Sequence, residues 1–139
     1  MSSKLALRVI LFIWVIWHLA FGVLATFAPA TGARISGWSP QDGWTGDMLA
    51  LSTQYGMVML LLTLVYAIAL LDPLRYIAIL LVAIAEQVFG IAYAIYIYLG
   101  IGNVTVAQVG IQSVINVAII LLLTWLWLRM RDAGTQARA

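Results

Sequence analysis

Four long apolar runs, residues 5–28, 48–71, 74–99 and 104–128, occupy most of the chain. Each reaches the roughly 20 residues that a helix needs to cross the hydrocarbon core of a bilayer. Inside lipid no water satisfies backbone N–H and C=O groups, so a spanning segment must bond to itself as a helix or close into a barrel. Runs of this length select the helix. Of the 139 residues 65% are apolar and only 9% are charged, against a globular average of about 25% charged, so there is too little charge to coat a soluble surface. The expected fold is all-α: a single domain over residues 1–139, a four-helix transmembrane bundle with antiparallel neighbours and no room for a soluble catalytic domain.

Local punctuation marks the ends of these runs. Pro29 follows the first, Asp47 is placed to cap the second, Asp72-Pro73 reads as a cap followed by proline at the first helical position of the third, and Asn103 is placed to cap the fourth. Helices two and three are then joined by Asp72-Pro73 and helices three and four by residues 100–103, connections short enough to force antiparallel adjacency. Residues 29–47 differ. They carry Pro29, Gly32, Gly37, Pro40, Gly43 and Gly46 interleaved with Ile35, Trp38 and Trp44, a composition suited to the headgroup region, either as a plain interfacial loop or as a lid over a pocket.

Orientation follows from Lys and Arg. Lys4, Arg8, Arg75, Arg129, Arg131 and Arg138 fall on one side of the four spans, whereas the other side has Arg34 with Asp42 and Asp47 nearby. The positive-inside rule therefore puts both termini in the cytoplasm of a multi-pass protein of the inner membrane. The first run, with Ala28-Pro29-Ala30 after it, has some look of a secretory signal, but it exceeds the roughly 7–15 residues of a signal core. It also holds Trp14, Trp17 and His18, and is expected to be a retained helix.

Several chemistries are excluded at once. With no cysteine there is no disulfide relay, thiolate nucleophile or Cys-ligated cluster. A single histidine, His18, rules out a multi-His metal centre or a bis-His haem within one protomer. The net charge of +2 is spread along the chain rather than gathered on a face, so nucleic acid is not an expected partner. The expected partners are the lipid bilayer and either other membrane subunits or further copies of the chain.

Ionisable side chains inside hydrocarbon cost about 2.5–3.5 kcal/mol on insertion scales, so each needs a partner or a purpose. His18 and Glu86 are the two here, and counting rise along their runs puts both near the midplane. Asn116 falls at similar depth, with Gln54 and Gln112 a turn or two further out. Gln108, Gln112 and Asn116 recur at i, i+4 and i+8, and Glu86, Gly90, Tyr93 and Ile97 form a second stripe, so both stripes are expected to face a common interior. Glu86 is expected to be buried there. Interhelical glue explains such groups adequately; the other reading is a proton relay or ligand site built from His18, Glu86, Asn116, Gln54, Gln112 and Tyr93, walled by Trp14, Trp17, Phe21 and Phe89. No catalytic residue is assigned and no cofactor is required.

A faint internal echo accompanies these residues. His18-Leu-Ala-Phe21-Gly22 parallels Glu86-Gln-Val-Phe89-Gly90, and Gln54-Tyr-Gly56 parallels Gln108-Val-Gly110, as expected of two helix hairpins in a parallel repeat.

Arg8 at the head of the first helix, Gly22 within it, Pro29 at its end, a long outer loop and three closely joined helices together give a plan that resembles the DoxX-like small four-helix bacterial membrane proteins. The resemblance implies an accessory or assembly subunit of a respiratory or photosynthetic electron-transfer complex, with a quinone-like or other lipophilic ligand as a further expectation. Two alternatives rest on single residues: a small dimeric proton-coupled transporter using Glu86, and a pigment or haem binder using His18 as axial ligand. Enzymatic activity is not expected.

Overall fold

The computed structural model describes residues 3–35, 43–100 and 105–136. Gly37, Trp38, Pro40, Asp42, Asn103, Val104 and Arg138 lie outside the described residues. All regular structure among the described residues is helical: α1 (Ser3–Phe27), α2 (Pro29–Ile35), α3 (Gly46–Leu71), α4 (Ile79–Gly100) and α5 (Val106–Gln136). Four helices are long and apolar enough to cross a membrane, over Lys4–Phe27, Gly46–Leu71, Ile79–Gly100 and Val106–Met130. The chain is thus a multi-pass membrane protein. It divides into two compact units, Lys4–Pro73 and a second built on Leu74–Ala139.

Helix ends depart from the expected punctuation in instructive ways. The N-cap of α3 is Thr45, whose Oγ1 accepts from the Met48 N–H at 3.3 Å; Asp47 is instead in the first turn, where its charge complements the helix dipole. Thr105, not Asn103, precedes α5, and it forms a reciprocal capping box. The Gln108 N–H donates to Thr105 Oγ1 at 3.2 Å while the Thr105 N–H donates to Gln108 Oε1 at 2.8 Å.

Asp72 closes α3 as its C-cap, and residues 73–78 form turns rather than the opening of the next helix. Ile79, Leu80 and Leu81 each donate to the carbonyl three residues back, at 2.9, 3.1 and 3.0 Å. The third span therefore starts at Ile79, five residues later than Leu74. Pro29 does not merely end α1 either: it opens α2 at the N1 position that proline favours.

In the first unit α1 and α3 run antiparallel along a seam of small residues. Gly22 and Thr26 on α1 face Ser52, Gly56 and Leu60 on α3. A Cβ added to Gly56 would meet the Thr26 N at 2.7 Å, the Gly22 O at 2.8 Å and the Thr26 hydroxyl closer still. Backbone thus lies against backbone, the arrangement that small residues four apart permit in lipid, where dispersion and polar contacts replace the hydrophobic effect between helices. Ser52 ties the seam by donating from Oγ to the Ala25 carbonyl at 3.0 Å.

In the second unit α4 packs on α5. Asn116 of α5 lies over Gly90 of α4. Counting seven residues out from that pair in opposite directions reaches Ala83 and Leu123, and ten residues reaches Leu80 and Leu126, all four buried. An antiparallel register follows, with Gly90 and Ala83 of α4 opposite the larger Asn116 and Leu123 of α5 and leucine opposite leucine at the outer pair.

Candidate functional site

His18 is buried in the first unit, 4% exposed. Its Nδ1–H donates to the Trp14 carbonyl at 2.8 Å, one turn back on the same helix. That bond places a proton on Nδ1, since a carbonyl oxygen can only accept. The imidazole also lies against Tyr66 of α3, with ring centroids 5.0 Å apart and planes tilted by 49°, and Tyr66 is fully buried. The pair continues the α1–α3 seam one turn beyond Gly22. His18 is thus the polar member of a packed interhelical contact. Tyr66 carries no special sequence pattern; its position in the seam, ten residues after Gly56, is the one signal that marks it.

Asn116 is the corresponding buried polar residue of the second unit, at 3% exposure. Its Nδ2 donates to the Gln87 carbonyl of α4 at 3.4 Å, and its Oδ1 accepts from Gln112 Nε2 at 2.9 Å. Gly90 supplies the space. A Cβ there would lie 2.9 Å from Asn116 Nδ2. Gln112 and Asn116 are thus bonded to each other one turn apart on α5, and the bond from Asn116 to Gln87 joins α5 to α4.

Other expected site residues stand elsewhere. Gln54 and Gln112 are exposed rather than interior, and Gln108 is spent on the α5 cap. Four residues advance a helix by about 400°, so each i+4 step turns about 40° past the starting face; over eight residues the stripe leaves the seam. Tyr93 is 64% exposed, and Phe89 73%, so neither lines an interior. Trp17 is also exposed and stacks on Phe21 at 4.3 Å between centroids.

Glu86 is intermediate in exposure, not buried. Because α4 starts at Ile79, the carboxyl sits seven residues in, about 10 Å along the helix. That is the first half of the span and not its middle.

The echo between the hairpins holds at one pair of glycines and fails at the other. Gly22 and Gly90 both meet the partner helix of their own unit, at Leu60 and Asn116. Gly56 is pressed against Thr26 and Gly22 of α1, whereas nothing lies within 4 Å of a Cβ on Gly110.

At the junction of α1, α2 and α3 a cleft of about 170 Å³ is bordered by Phe21, Pro29, Trp44, Ser52 and Tyr55. It is smaller than the roughly 300–1,000 Å³ of pockets that enclose a whole small-molecule ligand. Among the described residues no three His, Asp or Glu side chains gather into a metal site. At the ends of the second unit's helices, Arg75 lies over the Tyr76 ring at 5.5 Å and Arg129 over the Trp125 ring at 5.1 Å. Both guanidinium groups are thereby paired with aromatic faces of the kind that anchor spans at an interface. No family model, curated protein or solved structure matches this chain.

Proposed function

We propose that the chain is an integral membrane accessory or assembly subunit of a bacterial electron-transfer complex, a four-helix bundle with both termini in the cytoplasm of the inner membrane. One observation carries this reading: His18, Asn116 and Gln112, three of the polar groups that would have to form a chemical centre, are engaged in building the two hairpins. His18 bonds to its own helix and packs on Tyr66, Asn116 and Gln112 bond to each other and to α4, and Gln108 caps α5. Most of the spans' surface is left for lipid or protein neighbours, since between 11% and 28% of each span's most apolar window is buried.

The electron-transfer assignment comes from the resemblance of the plan to DoxX-like proteins. Orientation rests on Lys4, Arg8, Arg75 and Arg129 flanking one side of the spans. A pigment or haem on His18 gains no support, because an imidazole 4% exposed and stacked on Tyr66 has no open approach for a macrocycle.

Affinity purification of the tagged chain in a mild detergent, followed by quantitative mass spectrometry, tests the reading. Copurification in fixed ratio with a chain that carries redox cofactors is the expected result. Recovery of the chain alone or only with itself would contradict it.

A further inference from the structure

The cleft at the junction of α1, α2 and α3 lies wholly within the first unit and is not explained by the α1–α3 seam beside it. Phe21 of α1 and Ser52 of α3, which both border it, are six residues from the near ends of their helices, about 9 Å along each. That is the depth at which headgroups give way to hydrocarbon. Phe21, Trp44 and Tyr55 form aromatic walls, and none of the residues that border the cleft is charged. Its volume of about 170 Å³ is close to the roughly 150 Å³ of an apolar cavity that takes up benzene. One six-membered ring fits, and anything attached to it must extend outside.

Ser52 gives the cleft a polar wall of one sign. The ladder of α1 runs on to Ala28, whose N–H donates to the Leu24 carbonyl at 2.8 Å, but Pro29 has no N–H to give the Ala25 carbonyl four residues back. The Ser52 hydroxyl supplies that bond at 3.0 Å. Its single proton is thereby committed, and its oxygen has only lone pairs left to offer.

We propose that the cleft binds the ring of a phenolic amphiphile, a neutral single-ring phenol whose alkyl tail runs out into the bilayer. The aromatic walls favour a flat ring over the tip of an acyl chain. A charged ring would give up hydration at this depth and meet no opposite charge among the residues that border the cleft. The acceptor at Ser52 calls for a donor on the ring, which a phenol has and an aryl ether lacks. A quinone, which offers carbonyls alone, is disfavoured for the same reason. The site goes beyond the subunit reading and stands whether the chain acts within a complex or by itself.

The test is equilibrium dialysis of the full-length chain in detergent micelles, with partition into protein-free micelles subtracted. The probes are para-octylphenol, its methyl ether para-octylanisole, and para-octylbenzoate as a charged ring of similar shape. Saturable binding of the phenol is expected, about threefold to tenfold tighter than that of the ether, the worth of one hydrogen bond, with the benzoate weakest. Ala33→Trp, which puts bulk into the cleft from α2, should abolish binding of phenol and ether alike. Ser52→Cys keeps a donor for the Ala25 carbonyl but is a poor acceptor, so it should bring phenol binding close to that of the ether and leave the ether unchanged. Circular dichroism and gel filtration establish that each variant is folded, and the comparison of the three probes on the wild type keeps the test open should a variant not be. Absence of saturable phenol binding to the wild type, equal binding of phenol and ether, or benzoate binding as tight as the phenol's would overturn the proposal. So would phenol binding that is unchanged in folded Ala33→Trp, or a preference for phenol that survives in folded Ser52→Cys.

Discussion

Asn116 of α5 sits directly over Gly90 of α4, where a Cβ would come within 2.9 Å of its Nδ2. The amide is not free to swing away, because it is held by the Gln87 carbonyl on one side and by Gln112 on the other. Gly90→Ala should therefore destabilise the second hairpin by about 1–2 kcal/mol, through overpacking and a lost hydrogen bond. Asn116→Ala removes the obstacle, so the double variant should be less destabilised than the sum of the single ones. Gly110→Ala is the control: its Cβ meets nothing, and it should be neutral or gain up to about 1 kcal/mol from helix propensity. Reversible unfolding in mixed micelles reads all four.

Gly56 is the more demanding position. Its would-be neighbours are the Thr26 N and Gly22 O of α1, which are backbone atoms that move only if the helices part. Gly56→Ala should cost about 3 kcal/mol, at the top of the usual range for overpacking, and more than Gly22→Ala, whose nearest neighbours, the Leu60 side chain at 3.0 Å and the Leu60 N at 3.1 Å, stand farther off. Thr26→Val, by contrast, keeps the shape and removes a buried hydroxyl that has no hydrogen-bond partner among the described residues, so it should be neutral or stabilising. The ordering of the three in the same unfolding assay is the check.

At the start of α5 the capping box should show in local opening rather than global stability. Thr105→Ala removes the side-chain acceptor for the Gln108 N–H and should cost about 1 kcal/mol. Hydrogen exchange is expected to speed up at the first turn of α5, with the Asn116 region unchanged.

Much of this fold was legible from hydropathy and some of it was not. Run lengths located the four spans to within a few residues at most ends, because burial in lipid constrains every residue of a span alike. Caps were harder: Asp47 and Thr45, or Asn103 and Thr105, are chemically equivalent candidates two residues apart, and the choice depends on where the backbone turns helical. Asp72-Pro73 misled because the same pair reads equally well as the end of one helix and the start of the next. For the polar residues, the sequence marks Asn116 as needing a partner but does not say that the Gln87 carbonyl of α4 supplies it, and the i+4 count that puts Gln108 in the same stripe ignores the drift of the helix. Tyr66 is not legible in the sequence, since nothing in its neighbours distinguishes a seam tyrosine from a lipid-facing one.

Absence of native cysteine makes topology directly measurable. With single cysteines introduced at Ser3 and Thr45, a membrane-impermeant maleimide should label Thr45→Cys in intact cells and Ser3→Cys only after permeabilisation. The reverse pattern would place the basic ends of the spans outside, against the positive-inside rule.

The central claim is that the chain works by lateral assembly. Native gel electrophoresis of membranes with and without the chain tests it most directly. The expected result is that the chain, 15.2 kDa by itself, migrates in a much larger band with cofactor-bearing redox subunits, and that this band shrinks or is lost when the chain is deleted. Migration by itself or as a homo-oligomer, with every redox complex unchanged in its absence, would contradict the claim.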